Sequence, residues 1–230
     1  MGIRGKWRRY RDRRRAFKRF TAGEFFELHE YRDPSGMFDY EAYRRVQTEG
    51  NKRKIDNVFA DERTIAALCD WLHSRGPIRN GLCHGSRNGA EVRWFAEQLP
   101  DARIVGTDIS DTAAEHGLVQ HDFHETREDW VGAFDFVYTN SHDHAYDPQK
   151  AFDAWVAQLA SNGVLVIEHT EQHAEADRLD PFGVPPSVFP FFLLTIANGR
   201  YFVERIIDAP PAKPSGTKVW LFAIVAARES

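Results

Sequence analysis

Residues 78 to 91 read IRNGLCHGSRNGAE and residues 104 to 110 read IVGTDIS, and these two stretches decide the fold. In the first, a short apolar stretch leads into a turn bounded by Gly85 and Gly89, which opens a helix. In the second, an apolar strand ends in Asp108, 23 residues after Gly85. Glycines let a backbone approach a ligand, a helix start attracts polar or anionic groups, and an acid at the next strand end accepts hydrogen bonds from ribose hydroxyls. The pairing predicts a nucleotide-like ligand.

The spacing of the glycines distinguishes between ligand classes. Gly85 and Gly89 form Gly-x-x-x-Gly, whereas a dinucleotide fingerprint needs Gly-x-Gly-x-x-Gly. This frame resembles the Gly-x-Gly-x-Gly loop of class I S-adenosylmethionine-dependent methyltransferases. The chain departs from that loop in two places, because Arg87 replaces the middle glycine and Cys83 stands where those enzymes often place an acid.

The order of the remaining elements supports the same resemblance. We predict buried strands at 134–140 and 164–169, joined by a helix that starts at Asp147-Pro148 and stops at Asn162-Gly163, and then two strands at 201–208 and 218–227. This alternation of strands and helices, which finishes in a β-hairpin, resembles the sheet of the class I methyltransferases. The resemblance covers residues 55 to 227 and implies a Rossmann-like α/β fold: a seven-stranded, mostly parallel sheet with helices on both faces, a C-terminal antiparallel hairpin and an N-terminal helical cap.

The chain divides into a basic arm (1–20), a cap segment (21–60) and the methyltransferase domain (61–230). The cap is predicted to hold a helix over 38–46 and to offer Gln47, Asn51 or Lys52 to the methionine carboxylate of the cofactor, although a solvated surface helix remains an alternative. The apolar stretch 188–197 is predicted to be a buried helix or a lid, with 181–197 lining a partly closed pocket.

The length and composition of the chain limit the classes of protein to which it can belong. A chain of 230 residues forms one domain with a modest extension. Cys69 and Cys83 are the two cysteines, so a disulfide framework is excluded and a reducing compartment is favoured. With no apolar run long enough to span a bilayer and no secretory signal, we expect a cytoplasmic protein.

Charge is divided unevenly. Residues 1–20 contain ten Lys or Arg and one Asp, although the net charge of the whole chain is −4. As a helix, this arm would be basic and amphipathic, and peripheral contact with an anionic membrane is one expectation. Nucleic acid is a second candidate partner. A solvated tail, or a helix that folds back onto the acidic body, is the third reading.

The resemblance assigns the cofactor, S-adenosyl-L-methionine, to particular positions. Asp108 would accept the ribose hydroxyls, with Ile109 against the adenine, while Asp122 would face the exocyclic adenine nitrogen beside Phe123, and Asn140 would contact the cofactor from the fourth strand end. The methionine moiety would lie on backbone groups of the loop Gly85, Ser86, Arg87, Asn88 and Gly89.

Chemistry is expected at the carboxyl ends of the fourth and fifth strands. Four of the ten histidines fall in residues 140–144 and 168–173. Methyl transfer to oxygen needs a proton acceptor, and histidine titrates near neutrality. His144 is the first candidate base, Asp143 its orienting or substrate-binding partner and His169 the second candidate; the alternative is that these side chains satisfy loop backbone groups or contact the cofactor.

We therefore predict an S-adenosylmethionine-dependent O-methyltransferase acting on a small-molecule or saccharide-type acceptor. No metal is assigned, although His142-x-His144 with Glu168, His169 or His173 offers nitrogen and oxygen ligands. Two rival functions remain: a non-catalytic cofactor-binding module of the same fold, and a nucleic-acid methyltransferase recruited by the basic arm. Against the latter, the body is acidic and the Asn/Asp-Pro-Pro-Tyr/Phe motif for amino-group methylation is missing from the sequence.

Overall fold

The computed structural model describes residues 17–19, 25–210 and 216–227. The strands are β1 (Phe17–Arg19), β2 (Glu27–His29), β3 (Asn80–His84), β4 (Arg103–Asp108), β5 (Val119–Gln120), β6 (Phe134–Thr139), β7 (Leu159–Thr170), β8 (Phe182–Gly183), β9 (Tyr201–Asp208) and β10 (Val219–Ala226). The α-helices are α1 (Tyr40–Arg53), α2 (Glu62–Arg75), α3 (Ala90–Gln98), α4 (Pro148–Ala157) and α5 (Phe189–Ala197).

Seven strands form the central sheet in the order β5-β4-β3-β6-β7-β10-β9. The first five strands in this order pair in parallel, and β10 pairs antiparallel with both β7 and β9. The predicted sheet and its C-terminal hairpin are confirmed.

Successive side chains along each strand point to opposite faces of the sheet, so they contribute to two separate cores. Leu82, Val137 and Leu165 pack with Phe152 and Trp155 of α4 and with the aromatic residues of α5. Neighbouring strand positions point to the other face, where α2 and α3 cover them. Helices therefore cover both faces, as a mostly parallel sheet requires.

A second sheet of three antiparallel strands, in the order β1-β2-β8, was not predicted from the sequence. It brings Phe26 and Leu28 against the core beneath α5. Phe17–Arg19 pair with Glu27–His29 as a strand, so the amphipathic helix considered for the basic arm does not include these three residues. Residues 1–16 and 20–24 lie outside the described residues.

The stop of α4 also differs from the prediction. The helix ends at Ala157 rather than at Asn162-Gly163, and Leu159 already belongs to β7. The β6–β7 register shifts between Phe134 and Phe136. A Cβ on Gly163 would lie 2.6 Å from the carbonyl oxygen of Phe134, so the glycine permits a tight irregularity within the strand pair.

The cap helix α1 is longer than predicted and runs through Gly50. It packs over the carboxyl edge of the sheet, where Tyr43 Oη donates a hydrogen bond to the carbonyl oxygen of His144 at 3.1 Å. Within the described residues, no helix is both long and apolar enough to cross a membrane.

Candidate functional site

The loop that joins β3 to α3 is held in a shape that depends on glycine. Gly85 and Gly89 both have φ of +70°, which glycine adopts without strain. A Cβ on Gly85 would lie 2.6 Å from the Cβ of Ser141. The loop therefore lies directly against the end of β6, with no room for a side chain between them.

Arg87 takes the place of a glycine in this loop at a φ of +43°. Its backbone N–H donates to Oδ2 of Asp108 at 2.9 Å, which ties the loop to the end of β4. Its guanidinium lies 4.6 Å from the ring centre of Phe59, in the segment that follows the cap helix. The side chain therefore packs against the segment that follows the cap helix, beside the backbone of Gly85.

Two carboxylates line a first cavity of about 520 Å³ beside this loop. Asp108 is 6% exposed and also accepts a hydrogen bond from the backbone N–H of Ser110 at 2.8 Å. Burial raises the pKa of Asp108, against the effect of these hydrogen bonds. Ile109 and Phe123 supply apolar walls, and the cap helix closes the cavity with Tyr43 and other residues.

The carboxylate of Asp122 receives hydrogen bonds from two side chains. Oδ1 lies 2.7 Å from Nδ1 of His124, and the hydroxyl of Tyr40 is a second donor to the carboxylate. Burial raises the pKa of Asp122, but the hydrogen bonds from His124 and Tyr40 outweigh it and hold the pKa below its usual value. The ionised carboxylate lines the first cavity, where it can accept a further hydrogen bond from an amino or hydroxyl donor of a ligand.

A second cavity of about 760 Å³ adjoins the first, and Gly85, Arg87, Ser141, His144 and Lys54 line both. Its lining is mostly polar. It brings together further predicted residues, namely Ser86, Asn88, Asn140 and Asp143. Gly89 lines neither cavity and instead starts α3, as its N-cap.

The surroundings of His144 determine which of its two ring nitrogens carries the proton. Its Nδ1 lies 3.0 Å from the carbonyl oxygen of Leu179, which can only accept, so Nδ1 carries the proton. In the neutral ring, Nε2 then has a free lone pair, and the side chain lines both cavities. The carbonyl of Leu179, rather than Asp143 as predicted, fixes this orientation.

His169 occupies a different environment. It is fully buried, stacks on Phe189 with ring centres 4.4 Å apart and lines neither cavity. Its Nδ1 lies 2.7 Å from Nε2 of His142, and its Nε2 lies 3.1 Å from the carbonyl oxygen of Val184. Burial lowers the pKa of His169 to about 3, so the ring is neutral. These contacts of His169 link β7 to the loop that follows β6.

Sequence reasoning missed part of the lining. The segment that follows the short helix Glu171–Ala174 places Leu179 and Asp180 at the two cavities, 35 residues or more after His144. The prediction that 181–197 lines the pocket is wrong, because those residues line neither cavity and α5 packs into the core. No motif marks residues 179 and 180, so the sequence carried no signal for them.

Of the three cap residues predicted to meet the methionine carboxylate, Gln47 and Asn51 line the first cavity and Lys52 does not. Lys52 points away from the cavities and pairs with Asp111 at 2.8 Å. Gln47 donates to the carbonyl oxygen of Leu179 at 2.8 Å, and Asn51 lines the first cavity. Lys54, one turn further along, lines both cavities. It is therefore better placed than Lys52 to meet an anionic group.

Comparisons with known proteins agree with this geometry. Residues 82–167 match the family model described as "Methyltransferase domain". A search of curated proteins found no match. Among solved structures, the chain is similar to the 1,6-didemethyltoxoflavin-N1-methyltransferase of Burkholderia thailandensis, with bound 1,6-didemethyltoxoflavin and S-adenosylhomocysteine (TM-score 0.63, 15% identity, 92% of this chain and 99% of that chain covered).

Two further structures show the same fold. One is the N-methyltransferase NodS of Bradyrhizobium japonicum with S-adenosylhomocysteine, at a TM-score of 0.56 and 17% identity, covering 80% of this chain and 100% of that chain. The other is an O-methyltransferase from a trans-AT PKS multienzyme of Brevibacillus brevis, at a TM-score of 0.55 and 14% identity, covering 91% of this chain and 85% of that chain. The chain thus has the fold of these S-adenosylmethionine-dependent enzymes, and its residues 82–167 match the model of a methyltransferase domain.

Proposed function

We propose that this protein is an S-adenosylmethionine-dependent O-methyltransferase that acts on a polar small molecule or a saccharide-type acceptor. One observation carries the proposal: the Gly85 loop, the buried Asp108 and the oriented His144 surround two adjoining cavities. The first cavity suits the methyl donor and the second suits the acceptor. Transfer to oxygen is favoured because His144 presents a free lone pair.

The residues of the first cavity fit the nucleoside part of the donor. Asp108 can accept the ribose hydroxyls with the lone pairs that its two backbone partners leave free. The carboxylate of Asp122 can accept a hydrogen bond from the exocyclic adenine nitrogen between the walls of Ile109 and Phe123. Gly85 lines both cavities, where its backbone can lie against the methionine part. When bound, S-adenosylmethionine supplies an electrophilic methyl group.

The second cavity supports a hydroxyl-rich acceptor. Polar side chains from four parts of the chain line it, and Asn57, Asn140, Asp143 and Gln172 are among them. Hydroxyl groups can both donate to and accept from such a lining. The protein holds the acceptor oxygen in line with the methyl group, about 3 Å away, and thereby supplies most of the rate. Nε2 of His144 would accept the hydroxyl proton as the oxygen–carbon bond forms and the carbon–sulfur bond of the donor breaks, with S-adenosylhomocysteine as the leaving group.

The test is formation of S-adenosylhomocysteine from S-adenosylmethionine with a panel of sugars and small hydroxylated acceptors. We expect His144→Asn to lower kcat at least about 100-fold, because a general base contributes that much, while the affinity for S-adenosylhomocysteine stays within about two-fold. His73→Asn, at an exposed histidine of α2, is the matched control and should retain full activity. Full activity in His144→Asn would refute the assignment of the base.

The two rival functions predict other outcomes. A cofactor-binding module would bind S-adenosylhomocysteine through Asp108 and yield no methylated product with any acceptor, and a product that disappears in His144→Asn would exclude it. A nucleic-acid methyltransferase recruited by the basic arm would bind RNA or DNA at low salt and methylate it. Affinity for nucleic acid that survives removal of residues 1–20 would contradict recruitment by the arm.

A further inference from the structure

Arg87 brings a half-buried guanidinium to the wall of the second cavity. Its Nη1 lies 3.4 Å from the carbonyl oxygen of Asn57, at the limit of a hydrogen bond. Its Nε is buried and has no hydrogen-bond partner among the residues that the structure describes. A guanidinium carries five N–H donors and no acceptor, and removing it from water is costly unless an anion compensates.

Lys54 is a second cation on the same wall. It caps the C-terminus of α1 and lines both cavities. The ring of Phe59 lies near both cations, because its centre is 4.6 Å from Cζ of Arg87 and 5.7 Å from Nζ of Lys54. Within the described ranges, neither side chain forms an ion pair with a carboxylate. We call Lys54, Phe59 and Arg87 the cationic wall.

Hydrogen bonds hold the cationic wall against the glycine loop. The side-chain amide of Asn88 donates to the carbonyl oxygen of Ile55 at 2.7 Å and to that of Asn57 at 3.4 Å. The segment that contains Lys54 and Phe59 is thereby tied to the loop that contains Arg87. A wall fixed in this way would bind an anion with little loss of conformational freedom.

Three acids also line the second cavity, and none of them pairs with the cationic wall. Asp143 and Asp180 each face a histidine ring nitrogen instead, at 3.9 Å and 3.6 Å. Burial raises the pKa of both carboxyl groups, and it raises the pKa of Glu91 to about 7. Burial lowers the pKa of Arg87, and the charges of these acids oppose that shift from a distance. The guanidinium therefore remains open to an anion from a ligand.

We propose that the cationic wall binds an anionic group, a carboxylate or a phosphate, of the methyl acceptor. The guanidinium of Arg87 can donate two parallel hydrogen bonds to either group, and the ammonium of Lys54 adds a point charge. A cavity of about 760 Å³ has room for a small molecule that places its acid at this wall and its hydroxyl at His144. The inference rests on the proposed function and narrows the acceptor to hydroxylated acids, such as uronic acids or sugar phosphates.

The methionine carboxylate of the donor is the other possible source of an anion. The position of the guanidinium favours the acceptor, because Arg87 lies over Phe59, which lines the second cavity and not the first. The two sources also differ in a measurable way. A wall that serves the donor is filled whenever S-adenosylhomocysteine is bound, whereas a wall that serves the acceptor stays open.

The test follows the Nε–H resonance of Arg87 by NMR in the ¹⁵N-labelled full chain. The protein is titrated with sodium phosphate and with sodium acetate, first alone and then saturated with S-adenosylhomocysteine; loss of the resonance in Arg87→Gln assigns it. We expect a saturable shift with each anion in both states, and a Kd at least about ten-fold higher in Lys54→Gln because a charged contact is lost. Lys52→Gln is the matched control, since Lys52 is exposed and pairs with Asp111 at 2.8 Å.

Four results would overturn the proposal. They are no saturable shift with either anion, an equal Kd in wild type and Lys54→Gln, an equal rise of the Kd in Lys52→Gln and Lys54→Gln, and a shift that S-adenosylhomocysteine abolishes. The last result would assign the wall to the donor carboxylate. Near-wild-type circular dichroism spectra ensure that a loss is local. Because the titration needs no turnover, it decides on the anion site independently of the proposed function.

Methyl transfer provides a second readout through matched acceptors: glucuronate with glucuronamide, and glucose 6-phosphate with glucose. Among those that are methylated, the acid should have a kcat/KM at least about ten-fold higher than its neutral partner. Arg87→Gln should abolish that preference, and Arg87→Lys, which keeps the charge, should retain part of it. Equal kcat/KM for acid and neutral partner would contradict the anion site, while activity that still depends on His144 would leave the proposed function standing.

Discussion

The two residues that depart from the class I loop are both accommodated by their surroundings. Arg87 adopts a positive φ, and its side chain lies over Phe59 at the wall of the second cavity. Cys83 is fully buried in the core beneath α2 and α3, where burial raises the pKa of the thiol well above its usual value. It is therefore a neutral core side chain. Neither departure removes a group from the first cavity.

Glu91, in the first turn of α3, should make stability depend on pH. It is 5% exposed, and burial raises its pKa to about 7. The unfolded chain ionises this group near its ordinary pKa of 4.5, while the folded chain keeps the proton, so the free energy of unfolding falls as the pH rises from about 4.5 to 7. We expect Glu91→Gln to remove at most about 3 kcal/mol of that fall, measured by urea unfolding at pH 5 and pH 8. An identical pH dependence in both proteins would contradict the burial of an acid there.

At the scale of elements, long periodic segments were predictable and short ones were not. The strand predicted at 134–140 corresponds to β6, and the buried helix predicted at 188–197 is α5. That helix ends at Asn198, which caps it in the left-handed region with a φ of 45°. By contrast, β2 and β8 have three and two residues, too few to show a period, and they are stabilised by pairing with distant parts of the chain. Tertiary contacts, which no local pattern records, define these strands.

The start of α4 depends on an N-cap residue whose contribution to stability can be measured. The side chain of Asp147 accepts a hydrogen bond from the backbone N–H of Lys150 at 3.0 Å, and Pro148 occupies the first turn. Asp147→Ala should lower the free energy of unfolding by about 1 kcal/mol, as the loss of an N-cap does. Gln149→Ala in the same exposed turn is the control in chemical denaturation. Equal stability of the two variants would show that the cap contributes nothing.

At the scale of the whole molecule, the site is assembled from parts of the chain that are far apart in sequence. Gly85, Asp108 and His144 end parallel strands or follow them, so their convergence was predictable from the order of the elements. Leu179 and Asp180 come from an irregular segment whose course depends on the three-stranded sheet. The donor side of the site was therefore largely predictable, whereas the wall of the acceptor cavity was not.

The uneven distribution of charge predicts an interaction that depends on salt. Ten basic side chains in residues 1–20 should attract anionic lipid surfaces at low ionic strength. We expect the full chain to sediment with vesicles containing phosphatidylserine at about 50 mM salt and to dissociate at about 500 mM, since salt screens exposed charges. Neutral vesicles should not bind the chain. Binding that is insensitive to salt, or no binding at any salt, would contradict an electrostatic membrane contact.

The most direct test of the account is calorimetric titration with S-adenosylmethionine and S-adenosylhomocysteine, with NAD as the negative ligand. We predict micromolar binding of both sulfur ligands and none of NAD. Asp108→Asn should weaken binding at least about ten-fold through the loss of a charged acceptor, while Asp111→Asn, a nearby exposed acid, should not. Absence of binding to either sulfur ligand, or equal binding in Asp108→Asn, would contradict the proposed donor site.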